Sequence, residues 1–250
     1  MCATCGCSEP TPAHSHEHGH SHSHDHDHSR GTTIRLEESI LAKNDAFAAE
    51  NRAWFREREI LALNVVSSPG AGKTTLLVRT IRDMAGRLPI SVIEGDQETS
   101  RDADRVRATG ASAVQVNTGT ACHLDAHMVG HALGDLRPPP RSCVVIENVG
   151  NLICPALFDL GEHERVLIAS VTEGEDKPLK YPHMFRSADV ILLNKIDLLP
   201  HVDFNTSLFE EHVREVNPGA RVFQLSATRG DGLAPWYEWL LSLAGRPVPA

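Results

Sequence analysis

The sequence predicts a three-layer α/β fold: a mostly parallel sheet with helices on both faces, preceded by a disordered His-rich tail. Three observations carry this expectation. Residues 63–77, LNVVSSPGAGKTTLL, run from an apolar segment through a Gly-rich turn into a helix start, and a short Val-rich run of that kind suits a buried parallel strand. Beyond it, apolar strand-length runs alternate with helical stretches as far as residue 243, the order that builds parallel sheets with crossover helices. Ahead of it, residues 14–28 carry histidine at every second position, with only Ser, Glu, Gly and Asp between. Such a segment has no apolar face to offset the entropy of ordering.

The bulk composition narrows the class. A chain of 250 residues, 41% of them hydrophobic, suffices for one large domain with appendages. A net charge of -9 without a basic stripe or block argues against a nucleic-acid partner. No apolar run approaches the about 20 residues that span a bilayer, and the N-terminus lacks the basic-then-apolar order of a signal peptide. The expectation is a cytoplasmic protein with no membrane partner. Six cysteines, three of them within the first seven residues, read in a reducing compartment as metal ligands or buried thiols.

Residues 1–30 form the expected metal-binding tail: Cys2, Cys5 and Cys7 in C-x-x-C-G-C, then His14, His16, His18, His20, His22, His24, His26 and His28. Residues 31–60 read as a linking helix, with Ile34, Leu41, Phe47, Trp54 and Phe55 among charged neighbours. Residues 61–250 form the nucleotide domain. Its strands are expected at 61–66, 90–93, 113–116, 143–146, 165–171, 190–193 and 221–224. Helices are expected from Thr75 onward and at 124–136, 207–216 and 233–243, with 100–109 a charged helix or loop. The run Pro138-Pro139-Pro140 stops the 124–136 helix.

The turn Ser67-Ser68-Pro69-Gly70-Ala71-Gly72-Lys73-Thr74-Thr75 has the parts of a phosphate-binding loop. Backbone N–H groups and a helix N-terminus surround the anion, the Lys neutralises the β/γ-phosphates, and the following hydroxyl coordinates Mg²⁺. Ser67 stands where the pattern usually has Gly, which concerns only the tightness of the first turn. Asn194-Lys195-Ile196-Asp197 follows a strand, 121 residues after Lys73. An Asp there accepts both guanine N–H groups, a bidentate match adenine cannot make. Asn194 is expected to offer its amide to the base, and the Lys195 stem to lie along the base plane. Ser226-Ala227 after the last strand matches the segment whose backbone N–H binds the guanine oxygen. Asp96 and Glu147 end strands at the sheet edge where ligands of open α/β folds bind, so both are candidates for Mg²⁺ or water positioning. Lys73 and Asp96 are the expected catalytic residues. No arginine can be singled out from the sequence as a charge-stabilising finger.

Two further stretches carry a resemblance: NTGTACHLD (residues 117–125) and ENVGNLICP (residues 147–155). With MCATCGC at the start and the His-rich tail, they resemble the HypB family, GTPases that help insert nickel into [NiFe]-hydrogenase. The resemblance covers essentially the whole chain. Related GTPases of urease maturation share the nucleotide motifs without this Cys-His and Cys-Pro pair. It implies a SIMIBI-class P-loop GTPase that forms a homodimer on binding GTP. It also implies delivery of nickel, with hydrogenase-maturation partner proteins, to the hydrogenase large subunit. Cys122, His123 and Cys154 match the family's metal site near the nucleotide and dimer interface. Cys2, Cys5 and Cys7 match the tighter N-terminal nickel site of some members.

The residue chemistry stands beside the resemblance. Thiolate and imidazole suit Ni²⁺ and Zn²⁺ alike, so ligand type does not choose between them. Cys122 and His123 are placed at a helix start, where the dipole favours thiolate. Cys143, inside an apolar strand, reads as a small buried hydrophobe, and His127 and His131 as a solvated helix face. Two other functions fit the same residues: a passive nickel or zinc store, and a GTPase serving another metalloenzyme such as urease.

Overall fold

The computed structural model describes residues 27–96 and 101–244, with side chains from residue 38 onward. The Cys2, Cys5 and Cys7 site and the histidines through His26 lie outside the described residues. Helix α1 (Asp27–Glu57) leads into strand β1 (Leu61–Ser67). The alternation then runs α2 (Lys73–Asp83), β2 (Ile90–Asp96), α3 (Arg101–Arg107), β3 (Ala113–Asn117), α4 (Ala126–Leu136) and β4 (Cys143–Glu147). It continues through β5 (Glu164–Ser170), short helices α5 (Lys177–Lys180) and α6 (Pro182–Ser187), β6 (Val190–Asn194), α7 (Thr206–Val216), β7 (Arg221–Gln224) and α8 (Leu233–Ala244). Short 3-10 helices at Cys154–Leu157 and Ile196–His201 were not legible in the sequence. Helix α1 starts at Asp27, inside the stretch assigned to the tail from composition. Extending a packed helix by a turn costs far less than nucleating one.

The sheet order is β3-β2-β4-β1-β5-β6-β7, and every pairing is parallel. The sheet is thus wholly parallel rather than mostly so. β1 is buried at every position, as a strand covered on both faces must be. On one face α2, α3 and α8 set Leu76, Ile81, Val106, Trp236 and Trp239 against Leu63, Val65, Val92, Val145 and Ile168. The other face carries two separate apolar clusters. Phe55 of α1 and Val129 and Leu133 of α4 cover Ala62, Ile93, Val144 and Ile146. Phe185 of α6 and Phe209 and Val213 of α7 cover Leu167, Ile191 and Leu193. A buried polar seam belongs to this face as well. Asn64 Nδ2 donates to Glu162 Oε1 at 3.0 Å, and Arg165 pairs with the same carboxylate at 2.9 Å.

Helix α1 clamps the start of α4. Asn44 Oδ1 accepts the Ala126 N–H at 2.9 Å, while Asn51 Nδ2 donates to the carbonyls of Ala126 and Leu160 at 2.7 and 3.0 Å. Asp125 caps α4 by accepting the Met128 N–H at 2.8 Å, the arrangement that satisfies an orphan donor of the first turn. The helix therefore begins at Ala126, and Cys122 and His123 lie in the loop before it, not in its first turn. No helix among the described residues is long and apolar enough to cross a membrane.

Candidate functional site: a phosphate cleft beside a thiol–imidazole cluster

A cleft opens at the C-terminal ends of β1, β2 and β4, lined by Gly70, Gly72, Lys73, Thr74, Thr75, Glu94, Asp96 and Glu147, with Asp102 and Arg105 from α3. Gly70 and Gly72 take φ of 77° and 101°, the left-handed region that favours glycine. At Gly72 the absence of a side chain is required twice over, since a Cβ there would stand 2.6 Å from Asn194 Nδ2. Ser67 has a positive role. Its buried hydroxyl accepts the Lys73 ammonium at 3.1 Å and donates to the Ser68 carbonyl at 2.6 Å. Burial lowers the Lys73 pKa, and the Glu147 carboxylate works against that shift.

The acids of this cleft are out of balance with its bases. Thr74 Oγ1 donates to Glu147 Oε1 at 2.6 Å. Glu147 Oε2 and Glu94 Oε2 are both buried without a hydrogen-bond partner among the described residues, and strand pairing sets these two residues directly opposite each other. Burial, then the Glu147, Asp96 and Asp102 charges, push Glu94 up to about 8. Burial also raises Glu147, against the pull of Lys73 and the Thr74 hydrogen bond. Orphaned buried oxygens beside a threonine hydroxyl are the donor set of a hard divalent cation, so the residues present fit Mg²⁺. Glu94 escaped the sequence reading, although it sits in the Glu-Gly-Asp that drew attention to Asp96. Only strand register brings it level with Glu147. Arg105 escaped too: it donates to Thr75 Oγ1 at 3.1 Å and Asp102 at 3.0 Å, and nothing sets it apart from Arg101 or Arg107 in the sequence.

A second set of residues adjoins the loop. Asn194 is buried, and its amide bridges two loops. Its Nδ2 donates to the Ala71 carbonyl at 2.9 Å and its Oδ1 accepts the Ala227 N–H at 3.1 Å, as a buried amide must find partners. It thereby joins the phosphate loop to the 226–227 loop. Lys195, at φ 63°, donates to the Gly70 carbonyl at 2.7 Å. Asp197 Oδ1 accepts the Ser226 hydroxyl at 2.6 Å. Pro69 packs on the loop after β4, since a Cβ on Gly150 would lie 3.1 Å from Pro69 Cα.

That same loop leads to Cys154. Cys122, His123 and Cys154 offer ligand atoms that all lie within 4.8 Å of one another. The two sulfurs are 2.7 Å apart, and His123 Nδ1 lies 3.7 Å from Cys122 Sγ. His123 packs on Phe158 with ring centroids 4.0 Å apart and the planes tilted by 36°, and burial lowers its pKa. A lowered pKa keeps the ring neutral and able to bind a metal. Cys143 is buried in β4 with its thiol pushed up to about 12, in keeping with a packing role. His127 and His131 are exposed on α4 and face each other, Nε2 to Nε2, at 3.1 Å.

Fold and site together define a three-layer P-loop GTPase fold with a cluster of soft ligands at the edge of its phosphate cleft. Residues 61–224 match the family model for the CobW/HypB/UreG nucleotide-binding domain. The chain is 60% identical over 218 residues to the hydrogenase maturation factor HypB of Rhizobium leguminosarum bv. viciae, covering 87% of this chain and 73% of that one. Two solved structures superpose with a TM-score of 0.77 at 38% identity. One is HypB from Archaeoglobus fulgidus, covering 82% of this chain and 100% of that one. The other is HypB from Helicobacter pylori in complex with nickel, covering 83% of this chain and 98% of that one. The chain belongs to the HypB family of hydrogenase maturation factors.

Proposed function

We propose that this protein is a GTP-hydrolysing nickel chaperone for [NiFe]-hydrogenase, working in the cytoplasm as a homodimer when GTP is bound. GTP occupies the phosphate loop, with Asp197 selecting guanine and the Ser226–Ala227 backbone completing the base pocket. Thr74, Glu147 and Asp96 hold Mg²⁺, and Lys73 neutralises the phosphates. Mg²⁺, when bound, offsets charge on the phosphates and on the carboxylates around them. Lys73 and Asp96 carry the catalytic roles. Cys122, His123 and Cys154 hold the cargo, Ni²⁺ or Zn²⁺. Cys2, Cys5 and Cys7 form a second, tighter nickel site, and the His-rich tail stores metal. Delivery runs through hydrogenase-maturation partners to the hydrogenase large subunit.

One observation carries this reading: a single loop leaves Glu147 in the phosphate cleft and reaches Cys154 in the thiol–imidazole cluster. A nucleotide-dependent shift of that loop changes the ligand geometry, so metal is held in one state and surrendered in the other. The test is nickel affinity of a chain lacking residues 1–26, measured with GDP and with a non-hydrolysable GTP analogue. The expected difference is on the order of 5–150-fold, typical of coupled sites, and it should vanish in Cys122→Ala or Cys154→Ala. Equal affinities in the two nucleotide states would make the internal site structural and sink the proposal.

A further inference from the structure

The cluster is assembled from two loops that no strand pairing joins, the one before α4 with Cys122 and His123 and the one after β4 with Cys154. Asn148 stands between them and is 1% exposed. Its main-chain N–H donates to the Val65 carbonyl at 3.0 Å, which fixes it to the end of the central strand. Its side-chain Oδ1 accepts two N–H groups, from Leu124 at 3.0 Å and from Val149 at 3.0 Å. Its Nδ2 lies 3.4 Å from Asn64 Oδ1 in the buried seam. Leu124 follows His123 directly, and Val149 begins the loop that reaches Cys154. One oxygen therefore holds the residue after His123 to the root of the loop that runs on to Cys154. Leu124 is held from its other side too: its fully buried side chain presses on Gly95, where a Cβ would come within 2.7 Å, between Glu94 and Asp96 of the cleft. Asn151 adds a second, weaker tie, with Nδ2 donating to the Cys122 carbonyl at 3.3 Å and Oδ1 accepting the Ile153 N–H at 2.9 Å.

We propose that Asn148 is the positioning residue through which the phosphate cleft acts on the Cys122–His123–Cys154 cluster, its amide oxygen pinning the Cys122–His123 loop to the sheet while the loop to Cys154 moves. This rests on the reading above that nucleotide and internal metal influence one another. Without the pin, a metal bridging the two loops would carry Cys122 and His123 along with Cys154, and the ligand spacing would no longer report the nucleotide state. Conversion of a loop shift into a change of spacing requires one side to stay still. Asn148 is anchored in the right place for that, one residue from Glu147 and one hydrogen bond from the residue after His123.

The experiment uses the full chain and reads the linkage from the nucleotide side. The affinities of a GTP analogue and of GDP are measured with and without saturating nickel chloride. By reciprocity, nickel changes their ratio by the factor with which nucleotide changes nickel affinity, on the order of 5–150-fold. Cys122→Ala in the same chain marks whatever the tail contributes. In Asn148→Ala the ratio should become the same with and without nickel. A merely structural loss would either weaken both nucleotides in parallel with the nickel effect left in place, or abolish nickel binding to the internal cluster in a direct nickel titration, and either result overturns the assignment. Asn217→Ala controls for the loss of a bridging amide, because Asn217 donates to the carbonyls of Phe185, Arg186 and Ala188 at 2.9, 3.2 and 2.8 Å, far from both sites. It should keep the wild-type ratio. If Asn148→Ala does not fold, Asn148→Ser, whose shorter side chain cannot span to the Leu124 N–H, serves instead and should show the same loss. An undiminished nickel effect in Asn148→Ala, or in Asn148→Ser where that variant stands in, overturns the assignment. No nickel effect in the wild-type chain overturns the parent reading together with it.

Discussion

Replacing Glu94 by Gln should stabilise the nucleotide-free, metal-free protein at alkaline pH and flatten the pH dependence of its stability. Glu94 is 3% exposed on β2, and burial together with Glu147, Asp96 and Asp102 pushes it from 4.5 to about 8. Between those two values the folded chain binds more protons than the unfolded one, so stability falls as pH rises through the window and levels off above it. At about 1.4 kcal/mol per pH unit the gap sets a ceiling of about 5 kcal/mol. Water entry and side-chain relaxation lower that, and we expect about 1–3 kcal/mol, the range for a buried polar group left without its partner. Gln keeps the shape and removes the titration. Urea unfolding in chelator at pH 5 and pH 8.5 measures it: the wild type should lose stability relative to Glu94→Gln at the higher pH, and added Mg²⁺ should narrow the difference. Identical pH slopes for the two proteins would refute the assignment of Glu94 as a strained, uncompensated acid.

Five other outcomes are expected. Asp197→Asn should shift preference from GTP toward xanthosine triphosphate, because the amide complements the added keto group; wild-type protein that binds ATP and GTP equally in competition would remove the basis for it. Gly72→Ala should lower nucleotide affinity at least about tenfold, combining left-handed strain of roughly 1–2 kcal/mol with the 2.6 Å clash against Asn194. Gly134→Ala in α4, with nothing within 4 Å, should instead stabilise by about 0.5–1 kcal/mol, and thermal melts and nucleotide titrations separate the two. Deleting residues 10–26 should reduce the number of nickel ions bound while sparing GTP hydrolysis, and Cys2→Ala with Cys5→Ala should remove a tight site. Unchanged stoichiometry and unchanged tightest affinity in metal titrations would dispose of the tail sites.

Much of the catalytic frame was legible because its signals are local. A buried strand, a Gly-Lys-Thr turn and a helix start are contiguous, so the phosphate loop from Ser67 to Thr75 needed no long-range information. The tetrapeptide Asn194-Lys195-Ile196-Asp197 is equally local, being read from its place at a strand end, whereas Asp125 was not legible: the helix was expected over 124–136, and Asp125 instead caps it by accepting the Met128 N–H. Strand positions followed from apolar runs, since a strand covered on both faces has to be apolar along its length. Asn194 shows where such reasoning stops: residue type suggested a base contact, and its bridge between Ala71 and Ala227 emerged only in three dimensions.

The sequence by itself determined which residues could do chemistry: the loop lysine, the strand-end carboxylates, the soft ligands and the aspartate proposed to select the base. Each depends on side-chain type and near spacing, which the chain carries in one dimension. Only the tertiary structure decided which of them act together. Parallel pairing of β2 with β4 put Glu94 opposite Glu147 and left two carboxylate oxygens in one cleft without partners among the described residues. Packing of α3 brought Arg105 to Thr75. Two loops separated by 32 residues closed Cys122 on Cys154, with Asn148 between them. Those juxtapositions come from the order in which buried strands assemble to cover one another's faces, a long-range outcome that local composition does not encode.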